Sequence, residues 1–117
     1  MTTDGTARIM EEIMQNISFN EKNIDLRKCL FREIMEKSQY NDENNQINGF
    51  LGEGLPPKIP FWSKAGLMSE ARHDAAWWIN KNQSKTLLVI FTEGKELAND
   101  NYFLPRFSKE IYDFMHL

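Results

Sequence analysis

Residues 72–92 read RHDAAWWINKNQSKTLLVIFT, two apolar runs on either side of a polar connection, and their reading decides the fold. Residues 72–80 alternate as a strand does. Ala76, Trp78 and Asn80 fall on one face, and Ala75, Trp77 and Ile79 on the other. The polar NKNQS of residues 80–84 predicts a hairpin connection. Residues 86–92, TLLVIFT, are apolar without interruption, which predicts a strand covered on both faces. Upstream, residues 59–63 form a further short strand candidate. Together they predict a three-stranded antiparallel meander.

Outside the meander the period changes to that of helices. Thr2 or Thr3 can cap a first helix whose Ala7, Met10, Ile13, Met14 and Ile17 share a face, with Arg8, Glu11, Glu12 and Gln15 opposite. Asn20 or Asn23 can open a second, with Leu26, Leu30, Ile34 and Cys29 inward and Arg27, Lys28, Glu33 and Glu36 wet. The glycines and prolines of INGFLGEGLPP forbid a regular helix there. They describe an ordered loop pinned by Ile47, Phe50, Leu51 and Leu55. A last helix is predicted to begin near Asn99 or Asn101, with Phe103, Leu104, Phe107, Ile111, Phe114 and Met115 buried. Pro105 fits its first turn if the helix starts late. The fold class is therefore α+β: two N-terminal helices, the meander, and a C-terminal helix packed on the sheet. With 117 residues, the chain makes a single unit, 1–117.

Composition excludes several functions. The net charge is −3 and no Lys/Arg stripe gathers on one segment, so nucleic acid is not an expected partner. Cys29 is the only cysteine, which leaves no disulfide framework and no cysteine-based zinc site. His73 and His116 stand apart from any HxxxH or HxxE spacing, so neither a metal nor a cofactor is expected. No window approaches the ~18 apolar residues of a membrane span, and the chain reads as soluble and without an address. None of the serines has a lysine three residues on, no G-x-S-x-G elbow exists, and GFLGEGLP lacks the ending of a phosphate loop.

The remaining chemistry lies in WSKAGLMSEARHDAA. A lysine at a strand end followed by small residues can place its ammonium in a cleft while the adjoining backbone lies flat against a ligand. Local spacing alone favours the plainer reading, with Lys64 a solvated strand end and Ala65-Gly66 a turn. It likewise favours Arg72 and Asp74 as a surface pair contributing about 0–1 kcal/mol.

The order of the elements separates these readings. Strand, Lys64-Ala65-Gly66, loop, ARHDAA strand, hairpin, LLVIFTEG strand and final helix resemble the end of the serine hydrolases related to class A β-lactamases and penicillin-binding enzymes. TTDGTARIMEEI resembles that family's Thr-Thr helix start, and NQINGFLGEGLP the loop preceding its Lys-Thr-Gly strand. WSKAGLMSEARHDAA resembles a cyanobacterial-type variant of the superfamily. The resemblance implies that Lys64 contributes positive charge to the catalytic cleft and that Leu67 offers its backbone N–H to the oxyanion hole. Ala65, Gly66 and Arg72 would contact substrate, Arg72 through a carboxylate. Asp74 would be a structural strand residue. Ala65 replaces the family's Thr or Ser, so the hydroxyl that would bind a β-lactam carboxylate is absent. The family's Ser-x-x-Lys nucleophile, its Ser-x-Asn element and its omega-loop glutamate precede the Thr-Thr helix, and Ser18-Phe19-Asn20 reads as a turn between helices. The chain is thus expected to be the C-terminal portion of such a domain, acting in its complete form on a small-molecule or peptide substrate and inactive alone. The missing N-terminal half would be a partner. A full-length member would be periplasmic or extracellular, whereas the chain translated as written would stay cytoplasmic. The alternative is a small stand-alone α+β interaction module without catalysis.

Overall fold

The computed structural model describes residues 2–15, 35–37 and 46–117. Helix α1, Thr3–Gln15, opens as its sequence predicts: the Thr2 hydroxyl accepts the Gly5 N–H at 3.0 Å. Met10 and Met14 are buried on its inner face. Ile17 and the proposed inward stripe of the second helix lie outside the described residues.

Strands β1 (Glu36–Lys37), β2 (Phe61–Met68), β3 (Ala71–Ile79) and β4 (Lys85–Phe91) form one antiparallel sheet in the order β1-β2-β3-β4. The meander is therefore present and carries a fourth strand. Glu36, predicted at the wet end of a helix, is exposed but pairs with Trp62 instead. A two-residue strand has no periodicity of its own to reveal it; its partner creates it.

The largest departure is in β2. The strand does not stop at Ser63 but runs through Lys64-Ala65-Gly66 to Met68, in register from Phe61↔Trp78 to Met68↔Ala71. Ala-Gly is a local turn signal, but eight successive cross-strand pairs override it. Lys64 thus lies within a strand, not at its end.

The two faces of β3 are those the alternation predicts. Ala76 and Trp78 join Phe61, Leu51 and Leu104 in one core, and Ala75 and Trp77 join Met10, Met14, Met35 and Trp62 in another. Strand β4 serves both, with Leu88 and Ile90 toward the first and Leu87 and Val89 toward the second. In the hairpin, the Asn80 N–H bonds the Ser84 carbonyl at 2.8 Å. The buried Asn80 side chain accepts from Trp78 Nε1 and donates to Ser84 and Thr86.

The first core is roofed by the pinned loop, with Ile47, Phe50, Leu51 and Leu55 all buried as predicted, and its Leu51–Gly54 forms a single 3-10 turn. A short helix, α2 (Lys95–Ala98), leads to the C-terminal helix α3 (Phe103–Met115). Asp100 accepts the N–H groups of Tyr102 and Phe103 ahead of α3, and Pro105 sits in its first turn.

The buried stripe of α3 differs from the one its large apolar residues suggest. Leu104, Pro105, Ser108 and Tyr112 are buried, while Phe107, Phe114 and Met115 are exposed. Closeness to the loop selects this face. The Ser108 hydroxyl bonds the Leu51 carbonyl at 2.6 Å, and a Cβ on Gly54 would lie 2.0 Å from the Pro105 carbonyl oxygen. Such an approach needs glycine on one side and a small hydrogen-bonding residue on the other.

Candidate functional site

Antiparallel pairing fixes where each backbone group of β2 points. The Ile79 N–H bonds the Pro60 carbonyl, so the even-numbered residues of β2 face β3. At the far end Arg72 directs both its N–H and its carbonyl toward Thr92, away from β2. Its partner Leu67 therefore belongs to a non-hydrogen-bonded pair. The N–H and carbonyl of Ala65 and Leu67 consequently point out of the sheet edge. Strand β1 pairs only with Phe61 and Trp62, so among the described residues no strand covers that edge at Ala65 or Leu67.

Lys64 emerges at the same edge. Its side chain is exposed, and its ammonium donates to the Ala65 carbonyl at 2.6 Å. It borders a cavity of about 340 Å³ on the α1 side, lined otherwise by Thr6, Ile9, Met10, Ile13, Met35 and Ala75. An ammonium at an apolar wall acts at shorter effective dielectric than one in open water, which strengthens its pull on an anion. Gly66 lies opposite His73, and a Cβ there would meet nothing nearer than the His73 Cβ at 4.0 Å. The Ala65 methyl is buried on the loop side, so this residue presents backbone alone to the edge.

Arg72 lies on the opposite face of the sheet from Lys64. Only 5% exposed, it donates from Nε to the Ala98 carbonyl at 3.0 Å, from one terminal nitrogen to the Gly49 carbonyl at 3.1 Å, and from the other to Asn101 Oδ1 at 2.9 Å. The Phe50 ring lies 5.0 Å from the guanidinium carbon. All three oxygens are neutral. Arg72 and Leu67 border a second cavity, of about 400 Å³, with Asn48, Phe50, Glu53 and Tyr102. The site is thus two half-sites on either side of β2: the Lys64 ammonium with the outward backbone, and the Arg72 guanidinium beneath the loop.

Asp74, two residues along β3, secures the same loop and does not pair with Arg72. Its Oδ2 accepts the Leu51 N–H at 2.9 Å, and Oδ1 accepts no full hydrogen bond among the described residues. Burial pushes its carboxyl up to about 7, against the opposing pull of the Leu51 and Ala75 N–H groups and of Lys64 and Lys37. His73, which sequence reasoning leaves unassigned, accepts the Thr92 N–H at Nδ1 at 3.1 Å and stacks obliquely on Phe91 with ring centroids 4.5 Å apart. That bond places the proton of a neutral imidazole on Nε2. The signal for His73 was its register opposite Gly66, which needs the full length of β2 to be seen.

Among the described residues no three His, Cys, Asp or Glu side chains converge on a metal position, and no helix is long and apolar enough to cross a membrane.

Comparison with known proteins bears on the family and the fold. The model of a β-lactamase enzyme family matches residues 2–115. Among solved structures, the chain is similar to PBP-A, at 18% identity and a TM-score of 0.69, covering 95% of this chain and 38% of that one. It is also similar to a class A β-lactamase representative from Bacteroides cellulosilyticus DSM 14838, at 21% identity and a TM-score of 0.69, covering 96% and 40%. The chain spans about two fifths of the length of these structures. No curated protein matches.

Proposed function

Because the chain belongs to the β-lactamase enzyme family, we propose that it forms one wall of the acyl-transfer cleft of a serine hydrolase whose nucleophile lies outside these 117 residues. The observation that carries the reading is the edge of β2, where the outward N–H of Leu67 shares the edge with the Ala65 carbonyl that holds the Lys64 ammonium. An acyl group laid along this edge would be attacked by a serine hydroxyl from the complementary part of the domain. The negative charge that develops on its carbonyl oxygen would meet the Leu67 N–H, a type of donor worth about 2.7–4 kcal/mol in an oxyanion hole. Lys64 would hold the anionic part of the substrate, with Ala65 and Gly66 admitting it close to the backbone. Collapse of the tetrahedral species would break the acyl–nitrogen or acyl–oxygen bond and release the amine or alcohol, protonated by the proton taken from the serine hydroxyl, and water would then cleave the acyl-enzyme to the acid and free serine. The substrate class is a β-lactam, peptide or ester. Its partner is the polypeptide that carries the nucleophile.

Arg72 acts in this scheme chiefly as a positioning residue. Three of its N–H groups are committed, one each to the loop at Gly49, to the end of α2 at Ala98 and to Asn101 ahead of α3, and these tie the β3 residue opposite Leu67 to the wall of the 400 Å³ cavity. A substrate carboxylate at that cavity would use its remaining donors.

With no Ser-x-x-Lys among its residues, the isolated chain should not turn over acyl substrates. The purified chain and a Lys64→Ala variant are to be incubated with a chromogenic β-lactam and with a p-nitrophenyl ester. Equal, background rates are expected. Turnover by the wild type above the variant would place a nucleophile inside this sequence and overturn the reading.

A further inference from the structure

Asp74 is 1% exposed and is covered by residues of this chain alone. It and Arg72 leave the same face of β3 and hold the same loop, Arg72 at the Gly49 carbonyl and Asp74 at the Leu51 N–H. Leu51 is clamped from two sides, because its carbonyl accepts the Ser108 hydroxyl of α3. Of these three anchors, only Asp74 can change its charge near neutral pH; the guanidinium stays charged and the hydroxyl stays neutral. The loop sits close over β3, and a Cβ on Gly52 would collide with the Phe61 ring. Left-handed backbone brackets the segment, with φ 83° at Gly49 and 72° at Lys58, and at such points a short segment changes direction.

No cation compensates a carboxylate here at close range. Arg72 spends its fork on the neutral oxygens of Gly49, Ala98 and Asn101. Lys64 of β2 and Lys37 of β1 pull on the carboxyl through space, but less than burial opposes them. Strand β4 sets Ile90 opposite Asp74 and carries no charge over residues 86–92. Glu53 of the loop, Lys95 and Glu96 of α2, and Arg106 and Glu110 of α3 are exposed, and Lys109 pairs with Asp113 at the surface. The remaining titratable groups of α3 are Tyr112, in the same core, and His116, bonded to the Tyr112 carbonyl.

We infer that Asp74 is a proton-operated latch on the loop: as the neutral acid it lets the loop close over β3, and as the carboxylate it must take up water, which releases Leu51. Asn48, Gly49, Phe50 and Glu53 of this segment wall the 400 Å³ cavity, so the latch sets how firmly that wall is held. Burial disfavours the charged form, which holds the carboxyl at about 7 with the loop closed; a hydrated carboxyl returns toward 3.8. The closed loop therefore binds the proton more tightly. It is fully favoured below about pH 4, and opening grows about tenfold per pH unit until pH 7. The latch does not depend on the hydrolase reading, since its test needs no substrate.

That test is amide hydrogen exchange of the full chain by NMR from pH 5 to 8, with each rate divided by the intrinsic rate at that pH. Protection of the Leu51 N–H should fall by at least ~100-fold across this range. The carboxyl carbon of Asp74, followed in the same samples, should titrate at about 7. Low, non-denaturing urea should leave Leu51 exchange unchanged but speed that of Leu88, whose N–H the parity of the Asn80–Ser84 pair turns toward β3. Asp74→Asn keeps an oxygen for Leu51 and cannot ionise, so its Leu51 protection should not vary with pH. Ser108→Ala should lower protection at every pH without changing the slope, as a purely structural anchor would. Protection that does not move with pH, a slope that survives Asp74→Asn, or an Asp74 carboxyl titrating at its ordinary value overturns the proposal. So does equal urea dependence at Leu51 and Leu88, which would make the opening global unfolding.

Discussion

The two faces of this sheet are built on different principles. On the loop side, polar groups are buried and committed: Arg72 to Gly49, Ala98 and Asn101, Asp74 to Leu51, and Ser108 to Leu51. On the α1 side the core is Met10, Met14, Met35, Trp62 and Trp77, held by packing. Hydrogen bonds fix a loop in one place because the alternative is an unpaired buried group. Methionine packing tolerates adjustment. The difference separates a rigid support for the Leu67 end of β2 from an adaptable wall beside Lys64.

The strongest way to break this contrast is to remove the loop's main bolt. Arg72→Ala orphans the Gly49 and Ala98 carbonyls and Asn101, and should destabilise the chain by on the order of 4 kcal/mol in urea unfolding. Arg72→Lys should recover only a small part, since a single ammonium cannot span three acceptors set in a fork. A loss below about 1 kcal/mol would mean that the loop is held by its apolar residues and its bonds to Asp74 and Ser108 without help from Arg72.

Asp74 gives the loop side a pH dependence. Its carboxyl is raised from 3.8 to about 7 in the folded chain, so the folded state holds the proton more tightly than the unfolded state between those values. Stability from this group is thus full below about pH 4 and is lost as pH rises to 7, by up to roughly 4 kcal/mol. Asp74→Asn keeps an oxygen for the Leu51 N–H and should flatten this slope in denaturation curves measured from pH 4 to 8. An unchanged slope would assign the pH dependence to another group.

On the packed side, Met10→Ala should cost about 2 kcal/mol, at the lower end for a buried large-to-small change, because neighbouring methionines can settle into the space. A loss as large as that of Arg72→Ala would show this wall to be as rigid as the loop.

The sequence was legible where a pattern repeats within a few residues. Period-two alternation sorted Ala76 and Trp78 from Ala75 and Trp77, and helical spacing placed Met10 and Met14 inward. It was not legible where the decisive partner is remote. Gly49, Ala98 and Asn101 lie 23, 26 and 29 residues from Arg72, so nothing near Arg72 announces that it is buried. The extent of β2 and the existence of β1 likewise depend on the partner strand. The inward face of α3 depends on Gly54, far upstream. Of the site, the succession Lys64 to Leu67 could be named only through the resemblance that the order of all the elements carries, since local spacing reads as ordinary surface charge. That Lys64 and Arg72 stand on opposite faces of the sheet required the register.

The smallest expected effect on stability is at Lys64 itself. Its side chain is exposed and among the described residues its ammonium bonds only the neighbouring Ala65 carbonyl, so Lys64→Ala should change stability by no more than about 0.5 kcal/mol. In the proposed reading its charge acts on an anion at this edge and not on the fold. The sharper readout is therefore the environment of the β2 edge. In amide NMR spectra, titration with a small carboxylate should shift the outward Leu67 N–H of the wild type, and the shift should disappear in Lys64→Ala while the loop-side Leu51 N–H stays in place. Movement of both amides would couple the two faces and dissolve the distinction between a rigid support and an adaptable wall.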